Sequence, residues 1–275
     1  MLDTITAGLA PSCPTLLLDN GSQFTTAVLA LPDTDFSRWP KTELSPDSPV
    51  EEARSFLNRS GFPAPGLTLV SGMRDDAPGN SRVERRAARI LRWKEFLHET
   101  EGRPECFLQQ ELHGWEADTL LFQAKEAFGP SLGTDSGMAA ALAALSITPL
   151  RERSWSEGVT AIWAGHRHVQ AFMIYQEKVL GLYEQHSDIA QEELLKDLDE
   201  MRLNWLPDEQ VRARGGHGCI CGDFPAEAEG FRPTWILGPL REKMKGCGRL
   251  ASVCGDDRFD RISGLLYGLI LRKSS

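Results

Sequence analysis

The sequence predicts an α/β protein of two related halves, mixed sheets flanked by helices around a central cleft, and three observations carry that expectation. An apolar run, a tight polar turn and a second apolar run occur twice, at residues 17–30 and 161–174, with Gly21 and Gly165 in corresponding places. Each half also holds a helix-length run rich in small residues, at 138–145 and 263–271. Between them the polar stretch 151–158 falls where the strand pattern restarts, which divides the chain into residues 1–150 and 151–275.

The elements follow from pattern and punctuation. Thr15-Leu16-Leu17-Leu18 reads as a buried strand that stops at Asp19-Asn20-Gly21-Ser22-Gln23, and residues 24–31 read as its hairpin partner. Residues 32–49 look like loop, and Leu67-Thr68-Leu69-Val70 like a buried strand. Residues 83–99 carry an apolar stripe (Val83, Ala87, Ile90, Leu91, Phe96, Leu97) at helical spacing, with the basic residues elsewhere. Residues 105–112 read as a strand and 115–128 as a helix, and Gly133-Thr134-Asp135-Ser136-Gly137 then opens the alanine-rich helix. In the second half, strands are expected at 159–163, 169–175 and 179–184, with the turn centred on Glu177. An amphipathic helix at 189–201, a strand at 234–237 running into Gly238-Pro239, a strand at 250–254 and a closing helix at 258–271 complete the series.

Composition narrows the class of function. A formal net charge of -9 argues against a nucleic-acid-binding surface or one built for anionic membranes, although a local loop can still hold phosphate inside an acidic protein. No run approaches the roughly 20 apolar residues of a membrane span. Residues 1–14 carry Asp3 and no basic residue, unlike a secretory signal, so a cytoplasmic location with reduced cysteines is expected.

Glycine in a hairpin turn lets backbone N–H groups approach a phosphate with no Cβ in the way. Gly21, Ser22 and Gln23 in the first turn, and Gly165 with His166 in the second, are therefore expected to contact a phosphate-bearing ligand. Asp19 ends the first strand, and Asp19-Asn20-Gly21 also reads as a plain hairpin turn. Asp135 reads as a helix N-cap, and Arg241, after Gly238-Pro239, as a cation placed for phosphate. A hairpin centred on Glu177 sets His168 opposite His186, because both lie nine residues away, and brings His166 and Glu184 to the same edge. With His217 of Gly215-Gly216-His217-Gly218, four of the six histidines fall in these motifs. Two roles stay open for His166, His168, Glu184 and His186: proton transfer near neutral pH, or, with His217, ligation of Zn²⁺ or another transition metal, which Cys219 and Cys221 could join unless they are simply two small strand residues on opposite faces.

The order hairpin, small-residue helix, hairpin, Gly loop, small-residue helix resembles the actin, sugar-kinase and heat-shock-chaperone ATPase superfamily. The matching residues are Asp19-Asn20-Gly21-Ser22, Asp135 to Leu142, Gly165 to His168, Trp235 to Pro239 and Gly264 to Leu271. That resemblance implies two ribonuclease-H-like halves, ATP or another nucleotide with Mg²⁺ held through water at Asp19, a cleft-facing role for Asp135 beside its capping one, and a phosphotransferase or ATPase. In the superfamily an acid at the second loop orients the attacking group; here the strand position is Trp163, which points to degenerate catalysis or to a non-catalytic sensor or assembly factor. The second half, through Gly165 to His168, Gly181 to Ser187, Gly215 to Gly218 and Leu237 to Arg241, also resembles a domain-of-unknown-function family sometimes labelled pyruvate formate-lyase activating enzyme-like. The Cys-x3-Cys-x2-Cys spacing that such a radical enzyme requires does not occur.

Overall fold

The computed structural model describes residues 12–20, 25–32, 34–45, 47–72, 81–110 and 120–274, without the side chains of residues 82, 83, 85 and 86. Among them are two sheets of one plan. The first runs β3-β2-β1-β4-β5, from β1 (Thr15–Asn20), β2 (Thr25–Ala30), β3 (Lys41–Leu44), β4 (Leu67–Ser71) and β5 (Ser131–Thr134). The second runs β11-β10-β6-β7-β8-β9, from β6 (Val159–Ala164), β7 (His168–Tyr175), β8 (Lys178–His186), β9 (Gly218–Ile220), β10 (Thr234–Leu237) and β11 (Arg249–Leu250). In each, an antiparallel three-strand meander is extended by two strands parallel to its first member; β9 is an extra edge strand of the second. These are the two ribonuclease-H-like halves.

The first sheet is buried on both faces, so its central strands read as unbroken apolar runs rather than as alternation. Leu17, Val28 and Leu69 pack on one face with Ala139 of α4 (Ser136–Leu145) and Ile262, Leu265 and Leu269 of α8 (Asp260–Ser274). Leu16, Leu18 and Val70 pack on the other with Phe56 and Leu57 of α1 (Pro49–Arg59) and Leu121 and Ala124 of α3 (Leu120–Phe128). The small residues of α4 and α8 serve a close crossing. A Cβ on Gly264 would lie 2.7 Å from Ala143 N, and one on Gly268 2.8 Å from Leu142 Cδ1. One face of the second sheet, through Ile162, Ala171 and Tyr183, packs on Leu194, Leu198 and Met201 of α6 (Gln191–Arg202) and Val211 of α7 (Asp208–Ala213).

Packing divides the chain discontinuously: residues 1–76, 105–146 and 253–275 form one unit, and 77–104 with 147–252 the other. All five strands of the first sheet lie within residues 1–150 and all six of the second within 151–275, but two helices sit with the other half's sheet. The closing helix α8 packs in the first unit, and α2 (Arg82–Thr100) in the second.

Three expectations need correction. Of the strand expected at 105–112, the described residues 105–110 form none: a 3-10 turn at Pro104–Cys106 is followed by a single bridge, Gln109 to Gly133. Residues 32–49 include β3, a polar edge strand that buries only Leu44 and so lacks an apolar run. The strand expected at 250–254 is only the two-residue β11, while the polar stretch 151–158 lies largely in α5 (Thr148–Ser156), which buries only Leu150 and Ser154. No helix of the described residues is long and apolar enough to cross a membrane.

Candidate functional site

Strand direction gathers the residues of the second unit. β6, β8 and β10 run the same way, so Ala164, His186 and Leu237 all stand at one end of the sheet, where α/β folds hold ligands. The turn after β6 is closed by a hydrogen bond from Gly165 N to His168 O at 2.9 Å. The loop after β10 is laced onto the same place, because Leu240 N donates to Ala164 O at 2.9 Å. Gly238 makes that contact possible: its φ is +93°, and a Cβ there would lie 2.8 Å from Ala164 O. Pro239 follows it, and Arg241, half-buried, opens a short 3-10 stretch with its N–H on Gly238 O at 3.1 Å. Trp163 is buried beneath the turn, its indole Nε1 3.1 Å from where a Gly165 Cβ would be.

Four strands away from β11, the other side of the same end carries charge. Trp163, Gln170, Glu184 and Gly218 are direct partners across β6, β7, β8 and β9, so they share the sheet face opposite Tyr183 and Cys219. Glu184 is fully buried there. Its Oε1 lies 3.0 Å from Arg89 Nη1, 3.2 Å from His217 Nδ1 and 3.6 Å from His168 Nδ1. Its Oε2 is buried with no hydrogen-bond partner among the described residues. Burial by itself would raise the Glu184 carboxyl, but Arg89, then His217 and His168, hold it well below the usual carboxylate range. Burial pushes the His168 imidazole down to about 4, against the pull of Glu184, so His168 is neutral near pH 7.

The Gly-Gly-His-Gly motif places His217 through close packing. A Cβ on Gly216 would lie 2.7 Å from Val211 Cγ1, and one on Gly218, whose φ is +135°, would collide with the Asp208 carboxylate. His217 N donates to Glu184 O at 3.0 Å, which fixes the ring over the carboxylate. His168 does stand opposite His186. The hairpin turn is the two-residue Gln176-Glu177 with Tyr175 facing Lys178, and a bulge between Met173 and Ile174 restores the pairing that puts the two histidines across from each other. The His186 ring is 5.7 Å from that of His168 and 6.2 Å from that of His217. His166 is exposed, and its carbonyl accepts from Ser187 Oγ at 2.7 Å, holding the turn to the end of β8.

In the first unit, Asp19, Ser71 and Asp135 stand at or just past the carboxyl ends of β1, β4 and β5. Asp19 is buried and its carboxylate is engaged on both oxygens: Ser71 Oγ donates to Oδ1, and Arg261 Nη2 lies 3.0 Å from Oδ2. A carboxylate so held does not fit a direct Mg²⁺ ligand. Asp135 caps α4 by accepting from Gly137 N at 2.7 Å. Gly21, Ser22 and Gln23 lie outside the described residues.

Arg89 is the residue that sequence reasoning missed. It was assigned with the other basic residues to the wet side of α2, yet it is buried, while Leu91 of the expected stripe is 56% exposed. The buried row is Arg89, Trp93 and Leu97, an i, i+4, i+8 series that begins with an arginine, with Ile90 buried beside it. Cys219 and Cys221 do not join Glu184, nor do they face opposite ways. Cys219 lies on β9 and Cys221 just past its end, and both thiols reach Leu206 O, at 3.5 and 3.8 Å, on the far face of the sheet.

The fold and these loops define an α/β protein of two ribonuclease-H-like sheets with its polar residues at the carboxyl ends of the strands. The chain belongs to the family described as "Putative pyruvate format-lyase activating enzyme (DUF1786)", whose model matches residues 44–243. No curated protein matches the sequence. Among solved structures, a Bacteroides thetaiotaomicron protein with actin-like ATPase fold and unknown function is similar at 9% identity and a TM-score of 0.46, over 96% of this chain and 98% of that one. MreB 5 of Spiroplasma citri, bound to AMPPNP, is similar at 11% identity and a TM-score of 0.44, over 96% and 97%. The activator of 2-hydroxyisocaproyl-CoA dehydratase from Clostridium difficile, with bound ADPNP, gives 11% identity and 0.42, over 95% and 96%. At such identities these are likenesses of fold alone.

Proposed function

We propose that this chain binds a phosphate-bearing small molecule, a nucleotide such as ATP first among them, and turns it over slowly or not at all. The observation that carries this reading is the pair of glycine loops that meet at Ala164. Gly165 turns the chain immediately after it, and Gly238 brings the second loop onto its carbonyl. Two turns that each lack a Cβ at one glycine, at the carboxyl end of parallel strands, let a phosphate approach the backbone closely, with Arg241 beside them as the countercharge. The acid that phosphoryl transfer needs at this turn is replaced by the Trp163 indole, which supports binding without efficient chemistry and keeps the sensor or assembly-factor role alongside that of a degenerate phosphotransferase. With both Asp19 oxygens engaged, any Mg²⁺ would be carried by the ligand's own phosphates and would meet this side chain through water.

Titration calorimetry with ATP, ADP and inorganic phosphate, each with and without Mg²⁺, tests the reading. One-to-one binding that weakens at least tenfold in Arg241→Ala and in Gly238→Val is expected, with hydrolysis at background. No saturable heat with any of the three at millimolar concentration, from protein whose melting curve shows it folded, overturns it.

A further inference from the structure

We infer that His168, Glu184 and His217 form a site for a divalent first-row transition ion, Zn²⁺ by the chemistry of the donors, and that the Arg89 guanidinium competes with the ion for it. The site lies wholly in the second unit and is independent of the nucleotide reading. Three ligand atoms, one from each residue, lie within 4.8 Å of one another. Donors held at about 2.1 Å around a tetrahedral ion are separated by about 3.4 Å. The distances from Glu184 Oε1 to His217 Nδ1 and His168 Nδ1, 3.2 and 3.6 Å, straddle that value. Two imidazoles and one carboxylate are the donor set of catalytic zinc sites, which keep a fourth position for water or substrate.

The surroundings of the carboxylate agree with this. The Glu184 carboxylate gathers three nitrogen atoms around Oε1 and leaves Oε2 buried without a hydrogen-bond partner among the described residues, an uneven arrangement that disfavours the ion-free state. Arg89 Nη1 sits 3.0 Å from Glu184 Oε1 and 3.4 Å from His217 Nδ1, so the guanidinium lies against the same two atoms an ion would take. One positive charge beside Glu184 gives a neutral pair. A divalent ion added beside Arg89 would leave an excess of two, so the ion enters as the arginine swings away. Arg89 therefore sets the affinity rather than the identity of the metal.

The test uses the full chain purified without a metal-affinity tag, stripped with chelator and titrated with Co²⁺ as a spectroscopic probe and with Zn²⁺. One equivalent per chain is expected, with the visible absorption of a tetrahedral Co²⁺ centre that Zn²⁺ displaces. Glu184→Gln and His217→Ala lower affinity at least tenfold, and Arg89→Met raises it at least tenfold. Because Arg89→Met could unfold the metal-free chain, its melting temperature is measured too: added Zn²⁺ raises it by more degrees than it raises the wild type's. Absence of saturable binding overturns the site, as does binding that survives His168→Ala/His217→Ala. An Arg89→Met variant that gains neither affinity nor a larger thermal shift overturns the competition.

Discussion

Two buried acids, each beside an arginine near the carboxyl end of a sheet, differ in how completely they are satisfied. Asp19 has one oxygen on Ser71 and the other on Arg261, whose side chain keeps 17% exposure to water. Glu184 has Arg89, His217 and His168 on one oxygen, no hydrogen-bond partner on the other among the described residues, and an arginine side chain only 8% exposed. The first is a carboxylate absorbed into its scaffold. The second is a buried charge whose surroundings are metal-ligand chemistry, and it is where substitution should have the larger consequence.

The largest expected effect follows from breaking the drier pair. Glu184→Gln leaves Arg89 a buried charge without its carboxylate and should destabilise the protein by about 3–5 kcal/mol in denaturant titration, whereas Arg89→Met with Glu184→Leu together recovers most of that loss. If the single and the double replacement melt alike, the pair is not the buried ion pair described. Asp19→Asn should cost less, about 2 kcal/mol, because Arg261 can turn to water and Ser71 keeps a hydrogen-bond partner. A cost for Asp19→Asn equal to that of Glu184→Gln would erase the contrast.

The smallest effect concerns the start of α8, one residue before Arg261. Asp260 Oδ1 accepts from Val253 N at 2.9 Å, and beside it burial, with help from Asp260, pushes the Cys254 thiol up to about 12. A thiol whose pKa is higher folded than unfolded gives stability that is full below the unfolded value, about 8.5, and is lost as pH rises toward the folded one. Stability should therefore fall by up to about 1.4 kcal/mol per pH unit above 8.5 from this group alone, and Cys254→Ala should flatten the slope. At pH 8 iodoacetamide should leave Cys254 unmodified in the native protein.

Much of the fold was legible because it rests on apolar strands and on glycines. The repeated meander, the small-residue helices and the Gly238 loop are all set by residues whose type permits one kind of neighbour. The His168–His186 pairing was legible too, although the turn proved one residue shorter and a bulge made up the difference. What stayed hidden depends on tertiary contact. β3 and α5 each bury one or two residues, too few to leave a period. Arg89 was unreadable because an arginine on a helix is normally wet, and only the acid of a strand 95 residues later makes its burial tolerable. His217 was legible as a histidine among glycines, but those glycines serve tight packing against α7 and β8.

The discontinuous packing of the units has a consequence for synthesis on the ribosome. The face of the first sheet made by Leu17, Val28 and Leu69 is closed by Ile262, Leu265 and Leu269 of α8, so that face stays open until the end of α8 emerges. The second unit, finished at residue 252, has every one of its segments available sooner. At roughly 5–20 residues per second, the apolar strands made first wait on the order of ten seconds or more for their cover. The half that begins the chain is thus the last to be sealed, and a nascent chain stalled before α8 would present a finished second unit beside an exposed β-sheet, the kind of surface that chaperones hold.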